Sequence, residues 1–168
     1  FPAILAALFL AFPLLAIVWR VPWDSLGEIL GRQQTLEALG ISLLTASIAT
    51  LLCLLFGVPL AWWLDWLGRS PGSLGYRLVR SLVLVPLVLP PVVGGVALLA
   101  AFSRRGLVGQ YLYDWFGVQL TFSTAGAILA ETFVALPFFV LTAEAGLRAI
   151  DRRYEEVAAT LGARPGEV

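Results

Sequence analysis

Four stretches of this chain are too long and too apolar to form the inside of a small water-soluble domain. Phe1 to Trp19, Ile41 to Leu64, Leu82 to Phe102 and Phe122 to Leu141 each come close to or exceed the about 20 residues a helix needs to cross hydrocarbon. Composition agrees: 60% of residues are hydrophobic and 13% charged, where a soluble domain carries about a quarter charged. The expected fold class is an all-α membrane protein, a polytopic transmembrane helical bundle with about four spans. No soluble domain and no internal repeat is evident. Phe1 to Trp19 is too long for the apolar region of a signal peptide, and Trp19-Arg20-Val21-Pro22 is no small-residue cleavage site, so it reads as a span closed by Arg20. The chain starts at Phe1 and stops inside a motif, and is read as a fragment.

Several function classes fall away on composition. Net charge is zero, with no Lys and no His, so no basic tract points to nucleic acid. Cys53 is alone, which excludes an intrachain disulfide and a thiolate metal cluster, and its apolar run makes it a packing residue. No metal and no cofactor are expected. No glycine-rich Walker sequence exists to cradle ATP phosphates. Hydrolysis inside a membrane needs paired carboxylates, Ser with Lys or His, or metal ligands, none of which stands at a suitable spacing, so the chain is not expected to be an enzyme.

Arginine gives an orientation. The segment 65–80 and the tail from Arg148 together hold Arg69, Arg77, Arg80, Arg148, Arg152, Arg153 and Arg164, against Arg20, Arg32, Arg104 and Arg105 on the other side. The positive-inside rule makes the first set cytoplasmic. Trp19, Trp23, Tyr111, Tyr113 and Trp115 then border one interface, and Trp62, Trp63, Trp66 and Tyr76 the other. Residues 20–34, 65–80 and 103–121 read as loops.

The third span is the unusual one. Within Leu84 to Gly95, LVPLVLPPVVGG, the residues Pro86, Pro90 and Pro91 lack amide protons and disfavour helix in the residue before them. Carbonyls near Leu82, Pro86 and Leu87 are freed at membrane depth, where only protein or a watery path can cover them. The span is therefore expected to be broken and enclosed in a bundle, with Gly94 and Gly95 letting a neighbouring helix close in. Pro86, Pro90, Pro91, Gly94 and Gly95 are candidate translocation-path residues. Ser42 and Thr45, with Ser47 and Thr50, line the path or satisfy carbonyls of their own helix. Glu131 is the carboxylate placed well inside the membrane, expected as a neutral acid hydrogen-bonded to a neighbouring helix, and Glu144 is expected to be solvated.

After the last span, Ile150, Tyr154, Val157 and Leu161 recur at helical spacing opposite Arg152, Arg153, Glu155 and Glu156, the pattern of an amphipathic helix. Asp151 caps its start, Gly162 ends it in a left-handed conformation, and Pro165 opens a second short helix. An amphipathic helix lying on lipid headgroups has the same pattern.

Glu156-Val157-Ala158-Ala159-Thr160-Leu161-Gly162-Ala163 resembles the EAA loop by which permease subunits of ABC importers dock into their ATPase. VPLVLPPVVGG, Ser103-Arg104-Arg105-Gly106-Leu107-Val108-Gly109, Phe116-Gly117-Val118 and Thr121-Phe122 together resemble the molybdate and tungstate subfamily, of the binding-protein-dependent type I fold, and Ala130-Glu131-Thr132-Phe133-Val134-Ala135-Leu136-Pro137-Phe138 resembles that family's span before the docking loop. Sulfate permeases share much of this plan. Two departures stand out: Val92 replaces an expected hydroxyl residue, and Glu131 stands where an amide is commoner. The resemblance implies one permease domain over 1–168 with a coupling loop at 148–168, whose Glu156, Ala158, Ala159, Leu161, Gly162 and Ala163 meet a separate ATP-binding subunit. It also implies an extracytoplasmic substrate-binding protein, a second permease copy as homodimer partner, and a multi-pass place in the lipid bilayer of a prokaryotic plasma membrane. The rival of another class, a non-transporting structural membrane subunit, predicts no broken span and no ATPase partner.

Overall fold

The computed structural model describes residues 2–70, 72–150, 153, 157 and 160–162, and among these there is helix and turn but no strand. Three helices are long and apolar enough to cross a membrane, and a bent pair makes a fourth crossing if taken as one span. The chain falls into two compact units, 1–42 and 43–168.

In the first unit, α1 (Pro2–Arg20) is helical throughout, its Pro13 included, and buries no residue within this chain. A 3-10 turn at Trp23–Ser25 and the short α2 (Leu26–Gly31) follow. The expected loop 20–34 is thus largely helical, with Arg32 paired to Glu28 one turn back at 3.0 Å.

The second unit holds most of α3 (Gln33–Gly68), with α4 (Leu74–Val88), α5 (Pro91–Phe102), α6 (Gly109–Phe116) and α7 (Thr124–Ala149). From Leu43 on, α3 buries Thr45, Ala49, Cys53, Gly57, Ala61, Leu64 and Asp65, nearly every fourth residue. That spacing draws one stripe down the helix, and its upper members are small, as membrane helices need where backbones approach closely. The stripe meets α7. Thr45 reaches Glu131, a side chain on Gly57 would run into Phe139, Leu64 packs with Val140, and Asp65 pairs with Arg148. Because both numbers rise together, α3 and α7 run side by side in the same direction. Ala61, Leu64 and Val140 form the buried core, flanked by Tyr76, Val79 and Val83 of α4.

The connection expected over 65–80 is shorter, lying between the end of α3 at Gly68 and the start of α4 at Leu74. Asp65 still belongs to α3, and α4 begins at Leu74 behind Ser73, whose side chain accepts the Tyr76 amide. The segment 103–121 likewise contains α6, ended by Gly117 at φ 67, a left-handed position a glycine adopts without steric cost. Phe122 takes φ 57 without being glycine.

The third span is broken, at one point. Pro86 lies inside α4, so a single proline bends the helix without stopping it. Leu89 (φ −68, ψ 130) and Pro90 (φ −53, ψ 140) are both extended, because each precedes a proline and is pushed out of the helical region. Two extended residues in a row stop α4, and α5 restarts with Pro91 in its first turn at 112° to α4. Among the described residues the expected enclosure is partial: Pro90, Pro91 and Val92 are exposed while Pro86 and Leu87 are half-buried, since α3 and α7 pack on α4 nearer its beginning, at Tyr76, Val79 and Val83.

Candidate functional site

The break, the α3–α7 seam and the end of that seam are where chemistry-bearing groups collect. At the break, Gly94 is buried and faces Phe133 of α7, with 3.8 Å from an added Cβ to the ring. Its amide bonds the Pro90 carbonyl at 3.0 Å, which leaves the first-turn amides of Val92 and Val93 at the opening of α5. Gly95, with Leu98, Leu99 and Phe102, lines an apolar hollow of 260 Å³ against the start of α7.

On the other side of α7, Ala46, Ala49, Cys53, Ala130, Glu131 and Phe139 line a groove of 680 Å³ between α3 and α7. Thr45 Oγ1 donates to Glu131 Oε1 across it at 3.0 Å, so the expected link from Glu131 to a neighbouring helix is present. Ser47 and Thr50 instead donate to carbonyls of their own helix, Leu43 and Ala46, each at 2.7 Å. Ser42 is exposed on α3. The candidate path residues are therefore not gathered at one point. Glu131 points to Thr45 and Phe133 to Gly94, and two residues of helix turn the side chain by about 200°, so α7 stands between Thr45 and the break.

The strongest constellation is one the sequence reading missed. Glu144, expected in solvent, is 2% exposed. Tyr76 Oη donates to its Oε1 at 3.0 Å, Arg80 Nη1 lies 3.1 Å from both oxygens, and Arg148 Nη2 approaches at 2.8 Å. Arg148 also faces Asp65 at 3.9 Å, and Arg69 holds Asp65 from one turn on at 3.1 Å. The Arg80 and Arg148 guanidinium groups sit 5.6 and 5.0 Å from the centre of the Tyr76 ring. Tyr76, expected in an interfacial belt, is thus the hub of this cluster. Gly68 lies beside it, and a Cβ there would shift the flexible end of Arg148. The cluster ties the end of α3, the start of α4 and the end of α7. Its signal was the i, i+4 spacing of Asp65 with Arg69, Tyr76 with Arg80, and Glu144 with Arg148.

Of the expected docking residues, Leu161 and Gly162 are described, and Gly162 has φ 89, the left-handed conformation expected at a glycine corner. Glu156, Ala158, Ala159 and Ala163 lie outside the described residues.

Long apolar helices, one of them broken by a proline pair, and a terminal ionic knot define an integral membrane protein of the polytopic helical class. Residues 57–168 match the family described as the binding-protein-dependent transport system inner membrane component, and the chain belongs to that family. It is 50% identical over 167 residues to the molybdenum transport system permease protein ModB of Mycobacterium tuberculosis, an alignment covering 99% of this chain and 61% of the relative. The protein of the same name from Escherichia coli K12 is 42% identical over 127 residues, 76% of this chain and 54% of the relative. A probable sulfate transport system permease protein, cysT of Marchantia polymorpha, is 33% identical over 159 residues, 93% of this chain and 54% of the relative. The chain thus spans between half and two thirds of the length of these relatives.

Proposed function

We propose that this chain forms the greater part of the permease subunit of an ABC importer that carries a tetrahedral oxyanion, molybdate or tungstate, across the plasma membrane of a prokaryote. The observation that carries the reading is the 50% identity, over 99% of the chain, to a permease named for molybdenum transport. The weaker similarity to sulfate permeases at 33% makes sulfate the alternative cargo. The chain has no ATPase site of its own: a separate ATP-binding subunit docks on Glu156, Ala158, Ala159, Leu161, Gly162 and Ala163 from the cytoplasm, and Gly162 at φ 89 supports a corner there. ATP binding draws two such segments of a homodimer together and switches the path from inward-facing to outward-facing, and an extracytoplasmic binding protein delivers the anion.

The translocation path runs beside the break at Leu89–Pro90. No arginine lies in that stretch, so a divalent oxyanion there meets only dipoles, among them the amides of Val92 and Val93 in the first turn of α5. Weak binding suits passage. Tight capture and the choice between molybdate, tungstate and sulfate belong to the binding protein. The test is uptake of labelled molybdate and sulfate by the reconstituted full-length transporter carrying Gly94→Leu, which places a branched side chain against Phe133. Flux of every oxyanion is expected to stop alike. Unchanged molybdate flux moves the path elsewhere, and loss of one anion alone makes the permease itself the selector.

A further inference from the structure

We propose that Tyr76, Arg80, Glu144 and Arg148 form the joint through which movement of the docking segment reaches the broken span; this rests on the reading of that segment as the ATPase contact. Arg148 lies in the last turn of α7, where the expected docking segment 148–168 begins. Its guanidinium is shared between Glu144 at 2.8 Å and Asp65 of α3 at 3.9 Å. Glu144 passes the connection to α4 through Arg80 at 3.1 Å and the Tyr76 hydroxyl at 3.0 Å. The helix so held is the one that ends at the 112° break. Pulling on the end of α7 therefore moves the start of α4, and α4 acts as a lever on the break.

Three features separate this from an ordinary surface ion pair. Glu144 is buried, so its partners cannot be exchanged for water without cost. The links cross three helices, with partners 64 and 68 residues apart in sequence. The Arg80 and Arg148 side chains remain 38% and 41% exposed, so each has room to shift while Glu144 stays in place. These residues are positioning residues: none of them lies at the break or in the α3–α7 groove.

The experiment uses the full-length transporter with its ATPase and binding protein in proteoliposomes, measuring anion taken up per ATP hydrolysed. Glu144→Gln keeps the shape and removes the charge. It is expected to assemble, to hydrolyse ATP, and to lower uptake per ATP by about tenfold, within the usual range of coupling between sites. Glu144→Asp is expected to recover part of the ratio, and Tyr76→Phe to lower it by a smaller factor. A wild-type ratio in Glu144→Gln with the complex intact overturns the joint. Should Glu144→Gln fail to assemble, Tyr76→Phe decides, and an unchanged ratio there overturns it equally. Molybdate and sulfate are assayed together: a wild-type complex that carries sulfate alone corrects the cargo and leaves the ratio readable. A wild-type chain that binds no ATPase overturns both the functional reading and the joint.

Discussion

Along its seam with α3, α7 carries a carboxylate at each of two levels, and the two are handled in opposite ways. Glu144 at the arginine-bearing end is enclosed by a phenol and two guanidinium groups and is 2% exposed. Glu131, in the apolar groove, is exposed within this chain and accepts from Thr45 at 3.0 Å. Where the chain re-emerges from the apolar spans, arginines are within reach, and a carboxylate can be buried because its charge is matched. Thirteen residues earlier on the same helix no cation is at hand, and a hydroxyl is what the facing helix offers. The contrast separates a fixed joint from a lightly held contact. It also explains the small residues of the seam: Ala49, Cys53 and Gly57 let the helices approach in the stretch where no ionic link holds them.

The comparison breaks most decisively at the joint. Glu144→Ala leaves Arg80 and Arg148 without their shared carboxylate, and removing one partner of a buried pair costs about 3 to 5 kcal/mol. The lower end is expected here because both arginines keep contact with water. Thermal unfolding of the detergent-solubilised protein measures it, and a loss under about 1 kcal/mol would make the cluster an ordinary surface network. Gly57→Leu, between the two levels, drives a side chain into Phe139 and is expected to cost about 1 to 3 kcal/mol by overpacking. The same unfolding assay reads it, and a neutral result would mean that α3 and α7 separate there freely. Thr45→Val removes only the hydroxyl that Glu131 accepts from, for an expected loss of about 0.6 kcal/mol. If that loss equalled the Glu144→Ala loss, the two carboxylates would be held alike and the distinction between joint and light contact would fail.

The proline pattern shows how far local rules reach. Pro13, Pro59, Pro86 and Pro137 each lie inside a continuous helix, whereas the adjacent Pro90 and Pro91 separate α4 from α5. A single proline removes one hydrogen bond and bends the chain, whereas a pair forces two consecutive residues out of the helical region. The break was therefore legible and its location at Leu89–Pro90 follows from dihedral preference alone, but treating Pro86 as an equal partner did not hold. Exposure of the break within this chain was not legible, because it depends on which helices pack where.

What the sequence determined by itself is everything that depends on runs and neighbours: the membrane-spanning lengths, the broken third span, the left-handed Gly162 and the absence of cations from the spans. What only the tertiary structure decided is which polar groups meet. Asp65 and Tyr76 sit in a segment whose arginines, serines and glycines suggest a loop, and Glu144 sits near a span end, where solvation is the ordinary outcome. The burial of Asp65 and Glu144 follows from α3 and α7 running in the same direction with their ends level, which brings Arg148 beside Asp65 and places Arg80 of the returning α4 opposite Glu144. Contacts across 64 to 68 residues of chain are set by how helices pack, and the i, i+4 spacings within each helix, though visible, do not say which helix stands opposite.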